Sequence, residues 1–391
     1  MGFASLRTIS FRNLCDDEVN LQGKDVFLVG ENGQGKTNFL EALYFCSYAS
    51  SFKGVRDIDM VKNGEKSCSA GVVLNGNNDS MASNLSISFR ENEKKVMLDG
   101  KRLEDRKELL SIAPAIIFCH EDMEFVSGSP EKRRWFFDQI RSLWDPLYLD
   151  DLRRYRYVLK NRNALLRDLQ KAHSFSESMD TAAMLGALDD QMAHYGIELC
   201  KGRRESAEEF SAIFEPLYRD ISGIEGISIK YIPSWKQESK EEVLSYLAEK
   251  RDMDISFGLS NFGPHRDRYI FTRHGTEFSS KASTGQRRLL ALLLRIAQTM
   301  VFSKKTGKKP VLLLDDVLLE LDGEKRQKFL SVMPEYDQAF FTFLPIEPFE
   351  NYRKSDTLVY YMENGKTSLH SGALSKALSE ASSGALNGVL A

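Results

Sequence analysis

The sequence predicts an α/β fold whose two halves are separated by a helical insertion. Three observations carry that prediction. A glycine-rich loop, GENGQGKTN at residues 30–38, lies between the apolar run Val26-Phe27-Leu28-Val29 and a helical stretch that begins Phe39-Leu40-Glu41. A second apolar run, Val311 to Leu314, ends in Asp315-Asp316 about 280 residues later. Between the two, residues 131–217 have helical periodicity and few glycines.

The elements follow in order. Residues 4–30 alternate as strands do, with a turn around Gln22-Gly23-Lys24. The loop and its helix run from Gly30 to about Tyr48. Residues 68–100 predict antiparallel strands, with turns at residues 75–79 (NGNND) and at Asp99-Gly100. Ala115-Ile116-Ile117-Phe118 is another strand. After the helical stretch, a weaker mixed segment runs to about Met253. Strands resume at Tyr269-Ile270-Phe271, followed by a helix from Gln286 to Phe302. A strand (311–314), a helix (324–333) and a strand (338–343) close the pattern. Residues 369–391 are rich in Ser, Gly and Ala and predict a loose tail. The expected division is therefore 1–130, a mainly helical arm at 131–253, 254–368, and the tail. The arm is about 120 residues, an ordinary domain size.

Composition limits the function classes. Charged residues make up 28% and apolar residues 42%, as in globular proteins generally. The net charge is −3, so any nucleic-acid contact has to come from a local basic patch. The five cysteines are scattered and none has metal-ligand spacing, which fits a reducing cytoplasm. The start, MGFASLRTISF, is broken by Arg7 and Arg12 and does not read as a signal peptide. The greasiest stretch, Leu289 to Phe302, contains Arg295 and is too short to span a bilayer. A soluble cytoplasmic protein is expected.

The spacing G-x-x-x-x-G-K-T is complete in Gly30, Gly35, Lys36 and Thr37. Glycines allow positive φ and close approach to a ligand. Consecutive N–H groups, here from Glu31, Asn32, Gly33 and Gln34 through Asn38, form an anion nest at a helix N-terminus. Lys36 would reach the β- and γ-phosphates of ATP, and the Thr37 hydroxyl would ligate Mg²⁺. Asp315 and Asp316 stand at the carboxyl end of an apolar strand, where open α/β sheets bind ligands. Asp315 would hold Mg²⁺, and Asp316 would polarise the attacking water. The stretch KASTGQRR puts Ser283, Gly285 and Gln286 at the start of a long helix, which makes either a capped helix or a second anion site. One nucleotide rarely needs two such sites from one chain. Two subunits face to face would use both, each signature capping the γ-phosphate bound by the other.

These three elements in this order resemble the ABC-type ATPase heads of the SMC-like DNA-maintenance proteins. The resemblance is closest to the RecF family. It rests on SFRNL, VGENGQGKTNFLEALYFCSYASSFK, HEDMEFVSGSPEKRRWFFDQI, YRYVLKNRNALLRDL, GPHRDR, STGQRR and LLLDDVLLELD, and it runs from about residue 5 to 345. It implies an ABC-type head, with a mixed-sheet P-loop core and an antiparallel β portion, interrupted by a helical lever arm. It also implies ATP-linked dimerisation, slow DNA-stimulated ATP hydrolysis, repair at DNA gaps, and recombinase loading with RecO- and RecR-like partners. Asp322 falls in the loop after the acidic pair. The chain departs from the family pattern at Thr284, Arg287, Arg268 and His120, and Thr342 stands where other ABC ATPases place a switch histidine. By position, the loop at His120, Glu121 and Asp122 would be the metal-sensing one.

The first long helix of the arm has a polar flank of interest. At about 100° per residue, Leu152, Tyr155, Val158, Leu159, Leu165, Leu166 and Leu169 share one face. Arg153, Arg156, Lys160 and Arg167 share an adjacent arc of about 60°. Such a stripe would grip a DNA backbone without reading sequence; it would equally serve as a solvated flank paired with Asp150 and Asp151. Lys132-Arg133-Arg134 is a second basic cluster. A nuclease-associated ATPase subunit is the alternative, but no nuclease-type ligand cluster accompanies the loop. A transporter subunit would more usually read Ser-Gly-Gly-Gln than STGQ.

Overall fold

The computed structural model describes residues 2–75, 82–171, 179–321 and 323–370. The chain divides into two compact units. One is drawn from Met1–Glu121, Lys308–Arg326 and Pro334–Ala391, the other from Asp122–Gly307 and Gln327–Met333.

The first unit opens with β1 (Phe3–Ile9), β2 (Asp17–Asn20) and β3 (Asp25–Val29). After the phosphate loop come α1 (Lys36–Tyr48), β4 (Ser67–Leu74), β5 (Ser83–Arg90), β6 (Glu93–Leu98) and β7 (Lys101–Arg102). A short α2 (Leu109–Ile112) and β8 (Ala115–Phe118) follow. An antiparallel sheet has the order β2-β1-β4-β5-β6-β7. Its β4 buries Cys68, Ala70, Val72 and Leu74, alternate residues, because only one face of this sheet is covered. Helix α1 is apolar nearly all round, from Phe39 through Cys46, and packs against strands of both sheets of this unit.

The second unit contains α3 (Met123–Ser127), α4 (Pro130–Ser142), α5 (Pro146–Lys171) and α6 (Met179–Ser222). It continues with β9 (Ile227–Ile232), α7 (Lys240–Glu249), α8 (Arg251–Phe257), β10 (Arg268–Arg273), β11 (Thr276–Glu277) and α9 (Thr284–Thr306). The three strands form one sheet, β11-β10-β9. Tyr148, Leu152, Tyr155 and Val158 of α5 meet Met192, Ala193 and Leu199 of α6 in one apolar cluster with Trp235. Helix α9 buries nearly every residue from Leu289 to Phe302 and packs on α3 and α6.

The chain then returns to the first unit as β12 (Val311–Leu314), runs through α10 (Gly323–Ser331), which groups with the second unit from Gln327 onward, and continues in the first unit as β13 (Gln338–Phe343), β14 (Thr357–Glu363) and β15 (Lys366–Leu369). The second six-stranded sheet has the order β15-β14-β3-β13-β12-β8. All its pairings are parallel except β14–β15. Strands β3, β12 and β13 are buried throughout, as continuous apolar runs require in a parallel sheet. Parallel pairing brings the carboxyl ends of β3, β8, β12 and β13 to one edge.

Residues 254–307, assigned from sequence to the second half of the α/β part, group with the helical unit instead, because α9 packs on α3 and α6. Strands β14 and β15 were not expected. Leu369 ends β15 and His370 is buried, so the expected tail cannot begin at residue 369. The rest of that tail, most of the turn expected at 75–79, and Asp322 lie outside the described residues. Among the described residues, no helix is long and apolar enough to cross a membrane.

Candidate nucleotide site

The phosphate loop is held in shape by its neighbours. The Gly30 N–H donates to the Phe343 carbonyl at 3.1 Å. A Cβ on Gly30 would lie 2.5 Å from the Met362 carbonyl oxygen, so only glycine fits beside β14. Gly33 (φ 81°) and Gly35 (φ 108°) take left-handed conformations that a side chain would strain. Lys36 is buried, and its Nζ donates to the Gly30 carbonyl at 2.7 Å and the Glu31 carbonyl at 3.2 Å. The ammonium therefore rests on the loop's own carbonyls, and a phosphate would take it over by exchanging partners.

Residues that were not singled out from sequence brace this loop. Asn13, of the SFRNL stretch, donates from Nδ2 to the Gly33 carbonyl at 3.2 Å and accepts from Asn38 at 2.8 Å. Arg12 makes a bidentate pair with the fully buried Glu41 of α1, both bonds at 2.9 Å. At the β14–β15 turn, the Asn364 N–H donates to Gln34 Oε1 at 2.6 Å and the Gly365 N–H to the Gln34 carbonyl at 3.0 Å.

The acidic pair meets the loop at the sheet edge. Thr37 Oγ1 donates to Asp315 Oδ1 at 3.0 Å. Asp315 is pushed up to about 6, chiefly by burial and then by the Asp316 charge beside it. A partly buried carboxylate in that state gains from a cation. The Thr37 hydroxyl and the Asp315 carboxylate are hard oxygen donors of the kind that would hold Mg²⁺. Asp316 takes a left-handed backbone (φ 52°). Its N–H donates to Thr342 Oγ1 at 2.7 Å, and its Oδ1 accepts from the same hydroxyl at 2.9 Å. Thr342 thus fixes the orientation of Asp316. Glu347, in the turn after β13, is a further buried carboxylate here that the sequence reading missed.

The signature stretch forms the N-terminus of α9. Ser283 is the N-cap: its hydroxyl accepts from the Gln286 N–H at 3.2 Å, and Gln286 Oε1 accepts from the Ser283 N–H at 2.8 Å. Ser283, Thr284 and Gly285 are exposed, and a Cβ on Gly285 would meet nothing within 4 Å. Farther along α9, Arg295 reaches Asp122 Oδ1 at 3.0 and 2.6 Å and lies over the Phe125 and Phe136 rings. Asp122, expected in a metal-sensing loop, is therefore the buried ion-pair partner of the signature helix.

Comparison with known proteins decides the family. The model of the RecF/RecN/SMC N-terminal domain family matches residues 3–368. The DNA replication and repair protein RecF of Treponema pallidum (strain Nichols) is 38% identical over 360 residues, 92% of this chain and 99% of that protein. The chain belongs to the RecF family. The RecF protein of Lachnospira eligens is 31% identical over 363 residues, 92% of this chain and 97% of that one. A solved structure of the recombination mediator protein RecF with ATP, in the RecFOR pathway, matches with a TM-score of 0.83 at 26% identity, covering 94% of this chain and 97% of that chain. An Smc head domain from Pyrococcus furiosus matches at TM-score 0.53 and 17% identity, which shows the fold alone. The two sheets with their helical insertion are accordingly an ABC-type ATPase head of the RecF and SMC kind.

The GPHRDR stretch of this RecF-family chain turns inward. Asp267 is fully buried and accepts from Arg203 at 2.9 Å, Tyr231 at 2.5 Å and the Ser234 N–H at 2.7 Å. His265 bonds Tyr155 through Nδ1 and the Ser260 carbonyl through Nε2, both at 2.9 Å. Burial pulls its pKa down to about 4, which keeps it neutral. The cluster Lys132-Arg133-Arg134 also has internal partners: Glu124, the Val126 carbonyl and the Asp267 carbonyl. The stripe on α5 faces outward. Arg153, Arg156, Lys160 and Arg167 are all exposed, with loose pairs of 3.8 Å from Arg153 to Asp150 and from Arg156 to Asp138.

Proposed function

We propose that this chain is an ATP-gated DNA repair protein. It binds ATP and Mg²⁺ in the Gly30–Asn38 loop, closes as a dimer on DNA gaps or junctions, and helps load recombinase with RecO- and RecR-like partners. The observation that carries the reading is the hydrogen bond from Thr37 to Asp315, which joins a phosphate loop to an acidic strand end 278 residues away. The repair names borne by its relatives support the same reading.

Each residue has a task. The loop amides and Lys36 cradle the phosphates. Thr37 and Asp315 would hold Mg²⁺, which neutralises phosphate charge when bound. Asp316, held by Thr342, orients the water that attacks the γ-phosphate. Ser283, Gly285 and Gln286 of one subunit cap the γ-phosphate bound by the other. The α5 stripe contacts DNA phosphates without reading bases. Hydrolysis is slow and acts as a timer that reopens the pair.

Sedimentation velocity of wild type and Asp316→Asn, with and without ATP and Mg²⁺, tests this. The expected result is an ATP-dependent dimer that lives longer in the variant and is lost in Ser283→Arg. A monomer under every condition would overturn the dimer clamp.

A further inference from the structure

Glu347 has no task in the mechanism above, yet its surroundings tie it to the site. It is 9% exposed and closes the turn after β13. Its Oε2 accepts from the Leu344 N–H at 2.6 Å, and its own N–H donates to the Leu344 carbonyl at 3.0 Å. On one side, the neighbouring Phe343 carbonyl accepts from Gly30, whose own carbonyl holds Lys36 Nζ. On the other side, Thr342 holds Asp316. The end of β13 is thus pinned between the phosphate loop and the acidic pair, and the turn that holds Glu347 follows directly. The charges agree with this placement. Burial pushes the Glu347 carboxyl up; the Leu344 amide pulls it down, Asp316 pushes it up, and Arg326 and Lys36 pull it down.

The Glu347 carboxylate, held by the Leu344 amide just past the end of β13, stands at the sheet edge between the phosphate loop after β3 and the acidic pair after β12, where the γ-phosphate of a bound nucleotide would lie. Asp316 is one methylene shorter than glutamate, and its Oδ1 is already bonded to Thr342. We infer that Glu347 is a second catalytic carboxylate, facing the γ-phosphate of bound ATP and orienting the attacking water together with Asp316. In the step, the water oxygen bonds to the γ-phosphorus as the bond to the β–γ bridging oxygen breaks. ADP leaves with that electron pair, and the water proton passes to the carboxylate pair. The inference rests on the ATPase reading of the same site.

Glu347→Gln in the full chain tests it. The amide oxygen can still accept from Leu344, so the turn is kept. The readouts are affinity for a slowly hydrolysed ATP analogue, affinity for ADP, and single-turnover ATP hydrolysis. Removing a negative charge at the γ end should tighten the ATP analogue by about threefold or more and leave ADP unchanged. Hydrolysis should fall by about tenfold or more, and Glu347→Asp should recover part of it. An unchanged ratio of the two affinities, or hydrolysis within about twofold of wild type, would overturn the inference. If wild type itself does not hydrolyse ATP, the ATPase reading fails on its own, and an unchanged affinity ratio still decides against Glu347.

Discussion

At the scale of single residues, the candidate site combines its charges with the hydroxyls of Thr37 and Thr342. Thr342 is donor to and acceptor from Asp316. Replacing it with valine keeps the shape but frees the carboxylate. Single-turnover hydrolysis in Thr342→Val should fall by about tenfold while ATP affinity stays within about twofold of wild type. His265 gives a pH test in the helical unit. Its folded pKa is depressed to about 4 from an ordinary 6.5. Its contribution is therefore full above pH 6.5 and is lost as pH falls through about 4. Urea unfolding of wild type against His265→Gln should show wild type losing about 3 kcal/mol more across that window. The loop, the acidic pair and the signature were legible because each needs particular residue types at fixed spacing. Thr342 was reached only through the family resemblance and Glu347 not at all, because their surroundings depend on β13 running between β3 and β12, which no local pattern states.

At the scale of elements, α9 and α5 show how one helix serves two purposes. The exposed start of α9 carries the signature, while Arg295 and Asp122, 4% and 1% exposed, fix the helix inside its unit. Arg295→Met should cost about 3 kcal/mol, because it strands a buried carboxylate; the double variant with Asp122→Asn should recover much of that in the same urea experiment. The polarity of α5 was legible from its period alone, and its exposed cations make it testable. Lys160→Glu with Arg167→Glu should weaken DNA binding on all sequences. It should also flatten the plot of log affinity against log salt by about two phosphate contacts, read by fluorescence anisotropy. Strands β14 and β15 carried a readable signal, an Asn364-Gly365 turn between apolar alternations, with both residues at positive φ. The segment before it offered no periodic cue, and the hairpin went unread.

At the scale of the molecule, the site-bearing unit is assembled from stretches far apart in sequence, whereas the helical unit is one nearly continuous insertion. Helical period and the apolar runs made that alternation readable. The grouping of α9 was not, because a helix between two strands gives no sign of which unit it packs on. All three tryptophans, Trp135, Trp144 and Trp235, belong to the helical unit. Fluorescence therefore follows that unit, while far-UV circular dichroism follows both. ATP with Mg²⁺ at a hundred times its Kd should stabilise the loop-bearing unit by about 2.7 kcal/mol. The two probes should then separate on heating, and Lys36→Ala should abolish the separation.

The brace on Gln34 has a consequence for synthesis on the ribosome. The phosphate loop is translated well before the amides that clasp it, which belong to Asn364 and Gly365, 330 residues after Gln34 in the case of Asn364. A nascent or prematurely released chain thus carries the whole glycine-rich motif without the clamp that shapes it. Nucleotide capture then comes late in the chain's production, so truncated products would not compete with finished molecules for ATP.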